Sequence, residues 1–414
     1  MPLEGHPSAP PVVIRPARRW FILCMVYLGM LGFAITLQSV PPLLGSIVSD
    51  LKVSFAQAGL LMSLFALPGV LVSIPAGALA DRYGQRLIGS TSFLLMIGGQ
   101  ALFTVGHSMA VLGAARVVSG VGAMTLMVLL PQVLSQWFAG AEIGLAMGVL
   151  NTAMPLGTVL SLNVLSAVAS ASGWRWGGRA ALLIPLAALL LFAVFFSPAS
   201  RGAPGVGEAQ SPRAGSAGSA ERQGLLSQAA SAGGKIWLVG ACWLLFNASI
   251  ISLFTFTPAF LQTLGYSPGR AGATASAVMW LPLALSPAAG LLIDRVGGKR
   301  IMIALAGVSL AVLMALVPGA ARWMLALMLL IGVAQTLVPA PVMALAPDVV
   351  PAESQGVGFG IISTCLNLGI LVGPALVGWA RDVTGSFVMG YAIMALLSLL
   401  IAFVVIGLRP RRVR

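Results

Sequence analysis

Two short stretches carry charge in a chain that is otherwise apolar. Gly77-Ala-Leu-Ala-Asp81-Arg82-Tyr-Gly84-Gln-Arg86 and Gly290-Leu-Leu-Ile-Asp294-Arg295-Val-Gly297-Gly-Lys299 have the same residue types at the same spacing, 213 positions apart. Each links one apolar run to the next. Glycines suit the tight turn required there, because they adopt backbone conformations closed to other residues. The chemistry open to such a stretch is electrostatic. A carboxylate at the end of one helix can sit on the unpaired N–H groups that open a neighbouring helix. Cations beside it can pair with acidic residues elsewhere. Covalent catalysis is not indicated: no nucleophile–base pair, His/Cys metal cluster or phosphate-cradling loop occurs. The chain is therefore not expected to be an enzyme, and no cofactor, metal or nucleic acid is expected.

A second set of polar residues lies inside the apolar runs. Arg116 is charged, and a charge in hydrocarbon costs several kcal/mol unless it faces a cavity or a partner. Two readings stay open: Arg116 contacts an anionic solute, or it bonds backbone carbonyls of a broken neighbouring helix. Gln38 lies at similar depth in the first run and is a candidate to share its site. Asn151, Asn247, Trp280, Gln335 and Asn367 are further candidates for solute contacts, each equally open to a helix–helix hydrogen bond. The ten acidic residues fall in tails, in loops or at the ends of runs, so no interior carboxylate is available as a proton carrier.

The elements that must position these groups follow from composition. The chain is 58% hydrophobic and only 8% charged, with a mean hydropathy of +1.00. Soluble domains carry about 25% charged residues, so this one belongs in lipid. Runs of roughly 20 apolar residues are predicted to form twelve transmembrane helices, making the fold all-α. They group as a bundle of six over 20–197 and another over 236–408. A cytoplasmic tail (1–19) precedes the first bundle, and a flexible Gly/Ala/Ser/Pro-rich linker (198–235) separates the two. A basic tail (409–414) closes the chain. Trp20–Val40 is too long for a signal-peptide core and reads as a retained span. With both termini in the cytoplasm, that side holds 16 Lys and Arg, and the other holds six: Lys52, Arg175, Arg179, Arg270, Arg322 and Arg381. This bias fits a multi-pass protein of the cell (inner) membrane. It also gives the net charge of +13 an explanation other than nucleic acid.

The repeat extends beyond the charged loops. Pro68 and Pro75 precede Asp81, as Pro282 and Pro287 precede Asp294. Pro131 pairs with Pro339 and Pro155 with Pro374, while Glu142 and Glu353 open corresponding spans. Broken helices at matching places in two halves point to a cavity between them.

The doubled G-x-x-x-D-R-x-G motif resembles the loop between the second and third helices of major facilitator superfamily transporters. Arg116-Val-Val-Ser-Gly120-Val-Gly122 resembles the R-x-x-x-G-x-G motif of their fourth helix. The likeness covers nearly the whole chain. It implies a secondary transporter, a monomer in the bilayer, whose two bundles rock about a central site, with protons a candidate coupling ion. By that likeness Asp81 holds the start of the eleventh span near Glu353, and Asp294 holds the fifth near Glu142. These contacts form in one state and break in the other. Arg82 and Arg86 are then candidates to pair with Glu142, and Lys299 and Arg300 with Glu353 or Asp348. Gly77, Gly84, Gly290, Gly297 and Arg295 complete the gating loops.

Met154-Pro155-Leu-Gly157 departs from the G-P-x-x-G-G of the fifth helix in drug–proton antiporters. Gly373-Pro374…Gly378-Trp-Ala-Arg381-Asp382 resembles carriers of organic anions, including cyanate-type permeases. The expected solute is a small organic anion or weak acid. Drug efflux is the alternative, and a non-transporting receptor or scaffold is a more distant one.

Overall fold

A computed structural model describes residues 16–138, 142–196, 234–296, 298–349 and 355–408. Residues 1–15 of the N-terminal tail, most of the 198–235 linker, the basic C-terminal tail, Gly297 and Glu353 lie outside the described residues. At Gly77, Asp81, Gly290, Asp294 and Arg295 the helical backbone is described and the side chains are not.

Among the described residues every regular element is helical, as lipid demands: helices satisfy their own N–H and C=O groups where no water can. The N-terminal half comprises α1 (Pro16–Leu37), α2 (Leu44–Leu51), α3 (Phe55–Tyr83), α4 (Gln85–Val105) and α5 (Met109–Trp137). Its fifth span is segmented into α6 (Glu142–Asn151), α7 (Ala153–Leu160), a π-helical turn (Ser161–Leu165) and α8 (Ser166–Ser172). Its sixth is α9 (Trp174–Ala180) and α10 (Leu183–Phe195). The C-terminal half comprises α11 (Gly234–Thr263), α12 (Pro268–Val296), α13 (Lys299–Leu316), α14 (Met324–Thr336), α15 (Pro339–Val349), α16 (Gln355–Thr384) and α17 (Val388–Ile406). Among the described residues, 11 stretches are long and apolar enough to cross a membrane; α12, 29 residues long, occupies the place of the twelfth. Twelve passes return the chain to the face it started from, here termed the terminal face.

The local chemistry explains the boundaries. Ser54 caps α3 through a reciprocal box: its Oγ accepts from Gln57 N, and Gln57 Oε1 accepts from Ser54 N. Ser108 caps α5 by accepting from Val111 N. Gly84 joins α3 to α4 at φ +90°, a conformation that strains any residue with a Cβ. The sequence reading missed α2. The first span stops at Leu37, a short 3-10 turn follows at Pro41–Leu43, and α2 then lies beyond the span at the face opposite the termini. It is tied there by Asp50, which accepts from Trp174 Nε1 at 2.9 Å and from Arg175 at 2.7 Å.

Candidate functional site

Arg116 is fully buried, and its donors are spoken for. Nε donates to Leu61 O at 3.0 Å, Nη1 to Thr36 O at 2.8 Å and Nη2 to Leu37 O at 3.1 Å. The guanidinium also lies over the Phe65 ring, 4.2 Å from its centroid. The reason is the early end of α1. The last carbonyls of a helix have no partner within it, and Thr36 and Leu37 are the last two residues of α1. The guanidinium supplies the missing donors and ties α1, α3 and α5 together. Of the two readings the sequence left open, this geometry is that of the carbonyl partner. Gln38 lies beside this seat but turns to α7: its Nε2 donates to Thr158 Oγ1 at 3.4 Å, and its backbone oxygen accepts from Ser161 Oγ at 2.6 Å. Gln38 Oε1 is buried with no partner among the described residues.

The other interior candidates separate. Asn247 and Asn367 are buried and donate to their own helices, at Trp243 O and Ser363 O. Asn367 Oδ1 has no partner among the described residues, and the amide packs where Gly69 of α3 leaves room for it. Gln335 is a helix–helix bond, donating from α14 to Val278 O of α12 at 2.9 Å. Asn151, at the end of α6, is exposed, as is Trp280 at 46%.

Among the described residues, contacts between the halves include two seams, besides the packing of α11 against the 3-10 turn and α2. In the first, α3 crosses α16. Asp382 at the end of α16 accepts from Phe55 N at 2.9 Å and from Ala56 N at 2.7 Å. These are the first two N–H groups of α3, and Ser54 Oγ takes the third. Nearby, Ser63 Oγ donates to Leu371 O. Glycines allow the close approach: a Cβ on Gly378 would stand 2.6 Å from Phe55 O, and one on Gly59 2.6 Å from Pro374 O. Arg381 lies over Phe55 and Phe387, at 5.0 and 4.9 Å. In the second seam, α12 meets the π-helical turn. Asn163 Nδ2 donates to Ser276 Oγ at 2.9 Å, and a Cβ on Gly272 would overlap the Leu162 carbonyl oxygen. Both seams belong to the face opposite the termini and the middle of the molecule.

The terminal face is arranged differently. Glu142 pairs with Arg19 of its own half, at 2.5 and 3.2 Å, and not with Arg82 or Arg86. Arg82 is exposed beside Tyr83, and Arg86 donates to Ala193 O. Lys299 donates to Ala344 O, and Arg300 to Leu408 O, again within one half. Sequence reasoning missed Ser63, Asn163 and Ser276. Asp382 stood in a quoted motif but was read only as a sign of the solute. The G-x-x-x-D spacing that ends α16 was the signal available.

The model of the Major Facilitator Superfamily matches residues 20–278 and 261–414, and the chain belongs to that family of transporters, which are not enzymes. It is 24% identical to the lysosomal dipeptide transporter MFSD1 of Danio rerio, over 93% of this chain and 86% of that one. It is 29% identical to a probable L-galactonate transporter of Escherichia coli (strain K12), over 31% of this chain and 29% of that protein. The crystal structure of a point mutant of the nucleoside transporter NupG superposes with a TM-score of 0.73 at 14% identity, covering 94% of this chain and 99% of that one. That likeness shows the fold.

Proposed function

We propose that this chain is a monomeric secondary carrier of a small organic anion or weak acid, working by alternating access in a cell membrane with its terminal face in the cytoplasm. The observation that carries the reading is the placement of its ten acidic residues, none of which lies at the centre of a span. A cationic solute finds no counter-charge in such an interior, and desolvating an unpaired charge is costly. A weak acid avoids that cost by crossing with its own proton. One relative supports it too: galactonate is an organic anion. In this reading the present state is closed at the outer face, and Asp81 and Asp294 latch the cytoplasmic face in the opposite state.

Counterflow in proteoliposomes tests the solute class, with small organic acids, dipeptides and cationic dyes offered in parallel. Exchange of an acid, rising as the external pH falls, is expected. Dye exchange without acid exchange overturns the reading in favour of efflux, and no exchange of any solute favours a receptor.

A further inference from the structure

The sequence holds a third copy of the spacing that marks the two terminal-face loops. Gly378-Trp-Ala-Arg381-Asp382 ends α16 as Gly77…Asp81 ends the apolar part of α3 and Gly290…Asp294 that of α12. Here both parts of the motif are engaged across the two halves. Gly378 lets α16 lie against the backbone of Phe55 and Ala56, and Asp382 accepts from the two N–H groups those residues present. A carboxylate at this place meets both the unpaired donors and the positive end of the α3 dipole. We propose that Asp382 is the counter-latch of the carrier: it holds the face opposite the termini shut, and must leave the N-terminus of α3 before that face opens.

The inference rests on the alternating-access reading and concerns one residue of it. The second seam has no equivalent acid among the described residues. The corresponding stretch of α8, Ser166–Ser172, is uncharged, so the latch is single. Neighbouring contacts support the direction of the effect. Arg381 is held between Phe55 and Phe387, and Phe256 and Phe260 of α11 pack on Phe387. Once Asp382 releases α3, what joins this cluster to the N-terminal half is ring and glycine packing, Arg381 over Phe55 and Phe256 on Gly59, with no charged hydrogen bond among the described contacts.

The test is a distance measurement between spin labels on the full chain. Cysteines replace Ser46 and Met389, exposed residues of α2 and α17 in different halves at this face, after Cys24, Cys242 and Cys365 are changed to serine. Without solute, the parent should populate the short distance. Asp382→Asn keeps one acceptor oxygen but loses the second and the charge, and should shift the balance towards the long distance by about tenfold, the order of effect of a lost charge-assisted hydrogen bond. Gly378→Ala should shift it the same way by pushing the helices apart, so the test survives if one variant fails to fold. Asp382→Glu should keep part of the short population. An unchanged distribution in both Asp382→Asn and Gly378→Ala overturns the latch. Because no solute is used, failure of the solute assignment leaves this result readable, and a single fixed distance under all conditions would count against alternating access itself.

Discussion

The two seams that join the halves do the same job with different chemistry. Between α3 and α16 a carboxylate sits on two backbone N–H groups, and a hydroxyl bonds a carbonyl. Between α12 and the π-helical turn the side-chain pair is neutral, Asn163 to Ser276, and backbone packs against Gly272. Charge-assisted hydrogen bonds are roughly twice as strong as neutral ones. The first seam is thus a latch that a single residue can release, and the second is a fitted surface that yields only when its shape changes. A carrier must be able to open, and this division concentrates the releasable energy in one place.

The comparison can be broken most severely at Arg116, which holds α3 in position for the first seam. Arg116→Met leaves Leu37 O without a donor and takes one from Thr36 O, which keeps Ser39 Oγ, and one from Leu61 O inside α3, at about 1–3 kcal/mol for an orphaned buried carbonyl. We expect little folded protein, read as loss of the monodisperse peak in detergent. Normal yield would mean that α3 does not depend on this seat. Next is Gly272→Val. Overpacking costs about 1–3 kcal/mol, and here the obstacle is the Leu162 carbonyl. Counterflow should fall by about tenfold or more while the protein folds, and the Ser46–Met389 distance should lengthen. A smaller change separates the chemistries: Ser276→Ala removes one membrane hydrogen bond, worth about 0.6 kcal/mol, so transport should change by about threefold or less, well below Asp382→Asn. Equal effects would erase the distinction between the seams.

The smallest effect belongs to Asp50, whose contacts lie within one half. Hydrogen bonds from Trp174 and then Arg175 hold its carboxyl below the ordinary range. A group depressed on folding contributes stability above its unfolded pKa of about 4, and that contribution is lost as the pH falls through the folded value. Thermal melts should show a slight extra acid sensitivity that Asp50→Asn removes, with the seam distances unmoved. Movement of those distances would tie α2 to the seams.

Much of this was legible in the sequence, because membranes write their demands locally. The spans follow from apolar length, and the duplication from the paired loops and prolines. A carbonyl seat for Arg116 in a broken helix was one of the two readings the sequence left open, but the early end of α1 was not legible, nor that the partners would be Thr36 O and Leu37 O; that depends on where a helix stops, not on its average hydropathy. Asp382 acts on Phe55 and Ala56, 327 and 326 positions away, and no local pattern names such a partner. Gln335 and Asn151 look alike in sequence, yet one joins two helices and the other is exposed. An amide in an apolar run does not announce which it will be. The π-helical turn left no mark in the composition, although such turns recur at functional sites.

At three places the seams bring main chain against main chain: Gly59 lies on Pro374, Gly378 on Phe55 and Gly272 on Leu162. Such surfaces have a mechanical consequence. Side chains that interdigitate must be ordered again each time two parts meet, and long ones lose up to about 2 kcal/mol of rotamer freedom in doing so. Glycine has none to lose. In the alternating-access reading, halves that meet in this way act like a plain bearing and not like meshed gears: they would part and return at these points without repacking, and the pace of the cycle would be left to the few contacts that must let go.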